Sequence, residues 1–192
     1  KTAALGTSKA YVLVDAASDK PNVNSIIFRE EEGSYMVGYL AALKTSTGAI
    51  GFVGGMNIPI IQRFEAGYTA GARAARPGIK VYSAYIGNTP AAFDNPAAAK
   101  RIAEVLKRKG VDVIFSAAGV SGNGVIDYVN GIECLKASDL PQGMKFASNF
   151  YKNLLKSKTY NVKCAGDTRP MFFIGVDTNQ NYLGDTDNDP KT

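Results

Sequence analysis

Two aspartates follow apolar runs and are the residues of this sequence best placed to bind a ligand. Asp15 ends the run AYVLVD, and Asp177 ends MFFIGVD. An ionised carboxylate at the end of a buried strand is costly unless it is paired or solvated. Its acceptor oxygens suit the vicinal hydroxyls of a sugar or a ribose. Both aspartates are therefore candidate ligand-binding residues, and capping of the segment that follows is the alternative role for Asp177.

A pair of glycines, Gly54 and Gly55, ends the next apolar run, in IGFVGGMN. Glycines at this place can let a ligand or a facing domain approach the backbone closely, and the helix that follows can offer free amides. The alternative is that they only form the turn from strand to helix. The sequence leaves these two interpretations equal.

The motifs that would indicate catalysis, a cofactor or a metal are incomplete. The sequence has no histidine, which removes the commonest general base and metal ligand. GYLAALKT at residues 38–45 misses a phosphate-binding loop by one residue, and GVSGNG does not fit the dinucleotide fingerprint. The acidic tail lacks the glycine and the final glutamate of a calcium loop. The sequence therefore predicts no catalytic residues, no cofactor and no metal.

Cys134 and Cys164 are the two cysteines of the sequence. Two cysteines without histidine are too few for a structural zinc site. They are either two buried thiols or one disulfide, and a disulfide would indicate an oxidising compartment.

Strand-like and helix-like segments alternate along most of the chain. The strand-like segments are apolar on both faces, as in AIGFVGG, IKVYSAYIG and VDVIFSAAG. This pattern predicts an α/β fold, with a mostly parallel, doubly wound sheet and helices on both faces. Because ligands bind beyond the carboxyl ends of such strands, both aspartates would lie at the ligand-binding edge.

Two helices flank the glycine-ended strand. In the first, Glu30, Glu31 and Glu32 suit the positive end of the helix dipole. In the second, from Ile58 to Ala75, Gly67 and Gly71 are small faces for close packing. The apolar surface of the first helix is predicted to consist of Tyr35, Met36, Tyr39, Leu40 and Leu43.

Composition and charge exclude other functions. The net charge is +5, but the basic residues are scattered and do not form a stripe with aromatic residues, so nucleic-acid binding is not predicted. No run is long and apolar enough for a membrane span.

Because Lys1 is preceded by neither a methionine nor a signal sequence, we expect a processed or cut end there.

Long stretches of the sequence resemble the basic membrane protein family, substrate-binding proteins of ABC transporters that include the purine nucleoside receptors of spirochaetes. The motifs FREEEGSYMVGYLAALKT, AIGFVGGMN, VIFSAAGVSGNGV and FIGVDTNQNYL occur in order and at the expected spacing. The resemblance covers roughly residues 10–129 and 172–183.

This resemblance implies a type I periplasmic-binding-protein fold, in which two α/β lobes hold a nucleoside-like ligand between them. In such proteins acidic residues hold the ribose hydroxyls and aromatic rings enclose the base. By motif, the ligand-binding residues implied here are Asp15, Gly55, Met56, Phe115, Ala118, Gly119 and Asp177.

The resemblance also implies a division of the chain. Residues 1–29 would be the end of a lobe 1 strand and an inter-lobe crossing segment, and residues 30–177 would be lobe 2. Residues 130–170 would be an insertion in lobe 2, and residues 178–192 a crossing segment and polar tail. The family's opening repeats and its closing segment have no counterpart in this sequence.

The expected function is that of the extracytoplasmic substrate-binding component of an ABC transporter. The partners would be a nucleoside-like ligand and a membrane permease, with no nucleic acid and no catalysis. The location would be periplasmic or at the cell surface, with a lipid anchor on the full-length protein. The alternatives are a ligand-sensing or surface module of the same fold, or an enzyme of nucleotide or sugar metabolism.

Overall fold

The computed structural model describes residues 8–132, 134–147, 164 and 167–176. Helices and strands alternate over most of these residues, and each predicted helix and strand is present. In chain order they are β1 (Tyr11–Val14), β2 (Val23–Ile26), α1 (Glu30–Lys44), β3 (Ala49–Met56), α2 (Pro59–Ala75), β4 (Lys80–Gly87), α3 (Pro96–Arg108), β5 (Val113–Ala117), α4 (Gly122–Gly131), β6 (Leu135–Lys136), β7 (Thr168–Arg169) and β8 (Phe172–Ile174).

The main sheet has four strands in the order β4-β3-β5-β8, and every neighbouring pair is parallel. The parallel α/β sheet predicted from the sequence is therefore confirmed. Strands β3 and β5 are central and almost wholly buried, which explains why their apolar residues do not alternate with polar ones. All four strands end at the same edge of the sheet.

Helices cover both faces of this sheet. On one face α1 and α2 pack on a core that includes Phe52, Tyr68 and Phe115. On the other face α3 and α4 pack on a second core that includes Ile114 and Val125. The sheet is thus held from both sides, and its carboxyl edge is a fixed platform for a site.

Helices α1 and α2 are in backbone contact. A Cβ at Gly67 would overlap the carbonyl group of Glu31, and a Cβ at Gly71 would overlap that of Tyr35. This confirms the prediction that these two glycines serve close packing. The residues of α1 that become buried are consequently small or at its first turn: Glu30, Ser34, Gly38, Ala41 and Ala42.

The predicted apolar surface of α1 is present and is exposed to solvent. All five of its large side chains are at least 40% exposed, because the buried side of α1 has room only for small residues. The exposed side chains are Tyr35, Met36, Tyr39, Leu40 and Leu43.

Asp112 joins the loop after α1 to the start of β5. It is fully buried. Its Oδ1 accepts a hydrogen bond from Thr45 Oγ1 over 2.5 Å, and its Oδ2 accepts from the backbone N–H groups of Ser46 (2.6 Å) and Thr47 (3.2 Å). A single carboxylate therefore orders the whole turn between α1 and β3.

Strands β1 and β2 form a separate, parallel two-stranded sheet. Strand β2 was not predicted from the sequence. Large apolar residues of this sheet, such as Val12, Val14 and Ile26, are about half exposed. Because parallel sheets are normally covered on both faces, the exposed faces of β1 and β2 are unusual.

Strands β6 and β7 pair in antiparallel fashion outside the main sheet, within the predicted insertion. Cys134 and Cys164 of this region are joined by a disulfide with an S–S distance of 2.03 Å.

Among the helices of the described residues, none has the length and apolar character that crossing a bilayer requires.

Candidate ligand-binding site

A pocket of about 520 Å³ lies at the carboxyl edge of the main sheet. One wall comes from the end of β1 and the segment that leads into α1, and the other comes from α2 and the ends of β5 and β8. The lining residues are Asp15, Phe28, Glu30, Ile60, Ile61, Phe64, Phe93, Ala117, Gly119 and Val176.

Asp15 is held in the pocket wall by its backbone. Its N–H donates a hydrogen bond to the carbonyl oxygen of Ile26 over 2.9 Å, which continues the pairing of β1 with β2. Its φ is +63°, in the left-handed region that L residues rarely adopt, although aspartate tolerates it better than most. The side chain remains exposed and available to a ligand.

A second carboxylate, Glu30, lines the pocket at the first turn of α1. Its side chain is 4% exposed, and its Oε2 accepts a hydrogen bond from Arg63 Nε over 2.8 Å. This bond with Arg63 lowers the pKa of Glu30, against the opposing effect of burial. Glu30 is therefore ionised at neutral pH. Its Oε1 has no hydrogen-bond partner among the described residues.

Arg63 is shared by the acidic groups around the pocket. Besides its bond to Glu30, it lies 3.9 Å from Glu31. The hydrogen bond with Glu30 is the main cause that raises the pKa of its guanidinium, and the charges of Glu31 and Asp15 also raise it. The pocket thus presents two carboxylates, and the nearby cation is already bound to one of them.

The apolar part of the wall is aromatic. It includes Phe28, which is 56% exposed, together with Phe64 from α2 and Phe93 from a 3-10 turn. The ring of Phe93 lies against Gly55, where a Cβ would overlap it. Gly55 therefore acts on the pocket indirectly, by making room for a ring that lines it.

The turn that carries Phe93 is joined to the loop after β5. Ser121 is fully buried; its hydroxyl donates to the carbonyl of Ala92 over 2.8 Å and accepts from the N–H of Asn95 over 2.7 Å. Gly119, in the same loop, has a φ of +56° and lines the pocket. The two loops thus form one connected wall.

The structure places some predicted residues away from the pocket surface. Phe115 is 1% exposed, and its ring contacts those of Tyr68 and Phe64, with centroids 5.2 and 6.4 Å away. Because Phe115 lies in the core, it does not line the pocket. Its ring packs against that of Phe64, which does line it. Ala118 is also buried, and Met56 is half-buried at the end of β3; neither lines this pocket.

Asp177 lies outside the described residues, and its role stays a prediction. The residue before it, Val176, lines the same pocket as Asp15.

Sequence reasoning missed Phe28, Glu30 and Phe64. Glu30 belongs to an acidic triplet that the helix dipole explains by itself, and Phe64 fits the apolar period of α2. The one available signal was the position of FRE at the start of a helix that follows an acid-tipped strand.

The sequence and fold match those of known substrate-binding proteins. The model of the Bmp family, described as ABC transporter substrate-binding protein PnrA-like, matches residues 4–132. The ABC transporter nucleoside-binding protein BmpA of Lactococcus lactis is 34% identical over 175 residues, which cover 91% of this chain and 40% of that protein. The CD4+ T-cell-stimulating antigen of Listeria monocytogenes is 43% identical over 114 residues, covering 59% of this chain and 31% of the antigen.

Among solved structures, an ABC transporter solute-binding protein from Aeropyrum pernix superposes with a TM-score of 0.61 at 32% identity. The match covers 67% of this chain and 38% of that one, so the chain spans well under half the length of these relatives. Because the family model matches more than half of the sequence, this protein belongs to the Bmp family of PnrA-like ABC transporter substrate-binding proteins.

Proposed function

We propose that this chain forms one wall of an extracytoplasmic receptor that binds a nucleoside, or a related small polar ligand, for import. The observation that carries the proposal is the pocket in which Asp15 lies with Phe28, Phe64 and Phe93. Its volume of about 520 Å³ is within the range of small-molecule sites. A carboxylate can accept hydrogen bonds from ribose hydroxyls, and aromatic rings can stack on a base.

The charges of the pocket favour an uncharged ligand. Asp15 and Glu30 are acidic, and none of the described residues that line the pocket is basic. Arg63 is nearby but is engaged by Glu30. A phosphate would therefore meet like charges, which favours nucleosides over nucleotides.

We further propose that β1 and β2 belong to a first lobe and that residues 30–177 form the second. The exposed apolar faces of the small sheet support this division, and Asp177 would join Asp15 at the ligand. Closure of the lobes about the ligand would then signal occupancy to a membrane permease. This mechanism requires no catalytic step.

The family's substrate-binding proteins are extracytoplasmic, and the disulfide between Cys134 and Cys164 fits an oxidising compartment. We propose a periplasmic or cell-surface location, with a lipid anchor on the full-length protein.

Removing the carboxylate of Asp15 is the direct test. We expect Asp15→Ala to weaken nucleoside binding about tenfold to a hundredfold, since a hydrogen bond to a charged group contributes roughly 1.5–3 kcal/mol. Calorimetry and ligand-observed NMR with adenosine, inosine, guanosine and cytidine would measure it. Adenosine monophosphate should bind more weakly than adenosine.

The matched control is Asp19→Ala, which removes the same charge from a side chain that is 90% exposed and outside the pocket. It should leave the affinity unchanged. Equal affinities for wild type and Asp15→Ala would reject the role of Asp15, and tighter binding of the monophosphate would reject the preference for uncharged ligands.

A further inference from the structure

Glu30 has an acceptor oxygen that no group in the described part of the chain uses. Its side chain is 4% exposed, and Oε2 accepts a hydrogen bond from Arg63 Nε over 2.8 Å. The other oxygen, Oε1, is buried and has no hydrogen-bond partner among the described residues. A buried acceptor without a partner is rare, and it costs more on an ionised group than on a neutral one. We therefore expect Oε1 to meet a donor when the site is occupied.

The position of Glu30 indicates where such a donor comes from. Glu30 lines the pocket at the carboxyl edge of the main sheet. Among the described residues that line this pocket, no side chain carries an N–H or O–H group, because the others are apolar or are Asp15. The pocket is the open space that the Glu30 side chain borders. A molecule bound in the pocket can therefore bring the missing donor.

The surroundings of Glu30 indicate which part of a nucleoside would supply this donor. Asp15 follows β1 and Glu30 begins α1, so both belong to the same wall of the pocket. Both carboxylates also act on Arg63, Glu30 through a hydrogen bond and Asp15 through its charge. The rest of the described lining is apolar. A sugar with several hydroxyl groups suits the two carboxylates, and a base suits the apolar remainder.

We propose that Glu30 is a specificity-determining residue, whose Oε1 accepts a hydrogen bond from one sugar hydroxyl of the ligand while Asp15 accepts from another. This inference rests on the proposed function, because it assigns a second polar contact in the same pocket. A site that accepts from a hydroxyl discriminates against an analogue that lacks it, since the buried acceptor is then left unpaired. The protein should therefore distinguish a ribonucleoside from its deoxy analogues at two positions of the sugar.

Deoxy analogues combined with Glu30→Gln test the contact. Glutamine has one acceptor oxygen, which Arg63 requires, so its NH₂ group takes the place of Oε1 and presents a donor to the ligand's donor. We expect Glu30→Gln to weaken adenosine binding about tenfold to a hundredfold. Of 2′-, 3′- and 5′-deoxyadenosine, the analogue that lacks the hydroxyl bound by Oε1 should bind wild type and Glu30→Gln about equally. A different analogue should be insensitive to Asp15→Ala. Calorimetry and ligand-observed NMR would measure the affinities.

The matched control is Glu32→Gln, which makes the same change in the same first turn of α1. Glu32 is also bound to an arginine, Arg29, over 2.7 Å, but its side chain is 57% exposed and does not line the pocket. This control should leave the affinity for all four nucleosides unchanged. Both variants should keep the native circular dichroism spectrum, because glutamine retains an acceptor for each arginine.

Two results would overturn the inference and leave the proposed function standing, provided that Asp15→Ala weakens binding. One is a Glu30→Gln variant that binds adenosine as tightly as wild type. The other is an equal loss of affinity for adenosine and all three deoxy analogues, since that would indicate only a structural role for Glu30. A wild-type chain that binds none of the four nucleosides would reject the proposed function, and this inference with it.

Discussion

Gly71→Ala is expected to lower the free energy of unfolding by about 3 kcal/mol, the upper part of the range for overpacked sites. The added Cβ would overlap the backbone carbonyl of Tyr35 in α1. A backbone group cannot rotate away as a side chain can, so the two helices would have to separate. Urea unfolding followed by circular dichroism would measure the loss.

Gly33→Ala is the matched control for this prediction. Gly33 lies in the exposed part of α1, and no heavy atom of the described residues comes within 4 Å of the position of its missing Cβ. Helix propensity then acts alone, and we expect stabilisation by roughly 0.5–1 kcal/mol. The same substitution should thus lower the free energy of unfolding at Gly71 and raise it at Gly33. A stabilising Gly71→Ala would show that α1 and α2 are not in backbone contact.

Asp112→Ala is expected to cost about 2–3 kcal/mol. The carboxylate is fully buried and accepts hydrogen bonds from Ser46 and Thr47 N–H and from the Thr45 hydroxyl. Alanine would leave buried donors without their acceptor, at about 1–3 kcal/mol for each group that finds no other partner. Asp112→Asn should cost less, because its amide oxygen can accept from the two N–H groups and its NH₂ can donate to Thr45.

The contribution of Asp112 to the free energy of unfolding should fall as the pH rises. Burial raises the pKa of Asp112 from 3.8 to about 6, although its hydrogen bonds oppose the shift. Because the pKa of Asp112 is higher in the folded than in the unfolded state, folding favours its protonated form. The stability that this protonation contributes is complete below the unfolded pKa and is lost as the pH rises through about 6.

Relative to Asp112→Asn, the wild-type protein should therefore gain about 1–2 kcal/mol between pH 7 and pH 4.5. Denaturant unfolding of both proteins at the two pH values would measure this difference. A difference in stability that does not change with pH would contradict the raised pKa.

The sequence predicted the sheet because its central strands are buried on both faces and cannot be mistaken for half-exposed ones. Gly67 and Gly71 were also recognised as packing positions. The apolar surface of α1 was predicted with the right residues, but hydrophobic periodicity does not show that this surface is exposed. In α1 the contact with α2 is so close that only small residues fit there.

The site was predicted only in part, for a similar reason. Asp15 was named as a candidate because an acid that follows an apolar strand is recognisable from the local sequence, and it lines the pocket. Glu30, Phe28 and Phe64 become pocket residues only when α1 and α2 are packed together, and no local pattern encodes that. Phe115 was predicted at the site from its motif. In the structure, side chains of α2 cover its ring, so it lies in the core.

The hydroxyl of Ser121 has a consequence for how tightly a ligand can be held. Because this hydroxyl joins the turn of Phe93 to the loop of Gly119, the sheet side of the pocket is already ordered before a ligand binds. The entropic penalty of immobilisation then falls mainly on the opposite side, where Asp15 and Phe28 project into water. Affinity should accordingly respond more to rigidifying that outer segment than to any further tightening of the inner loops.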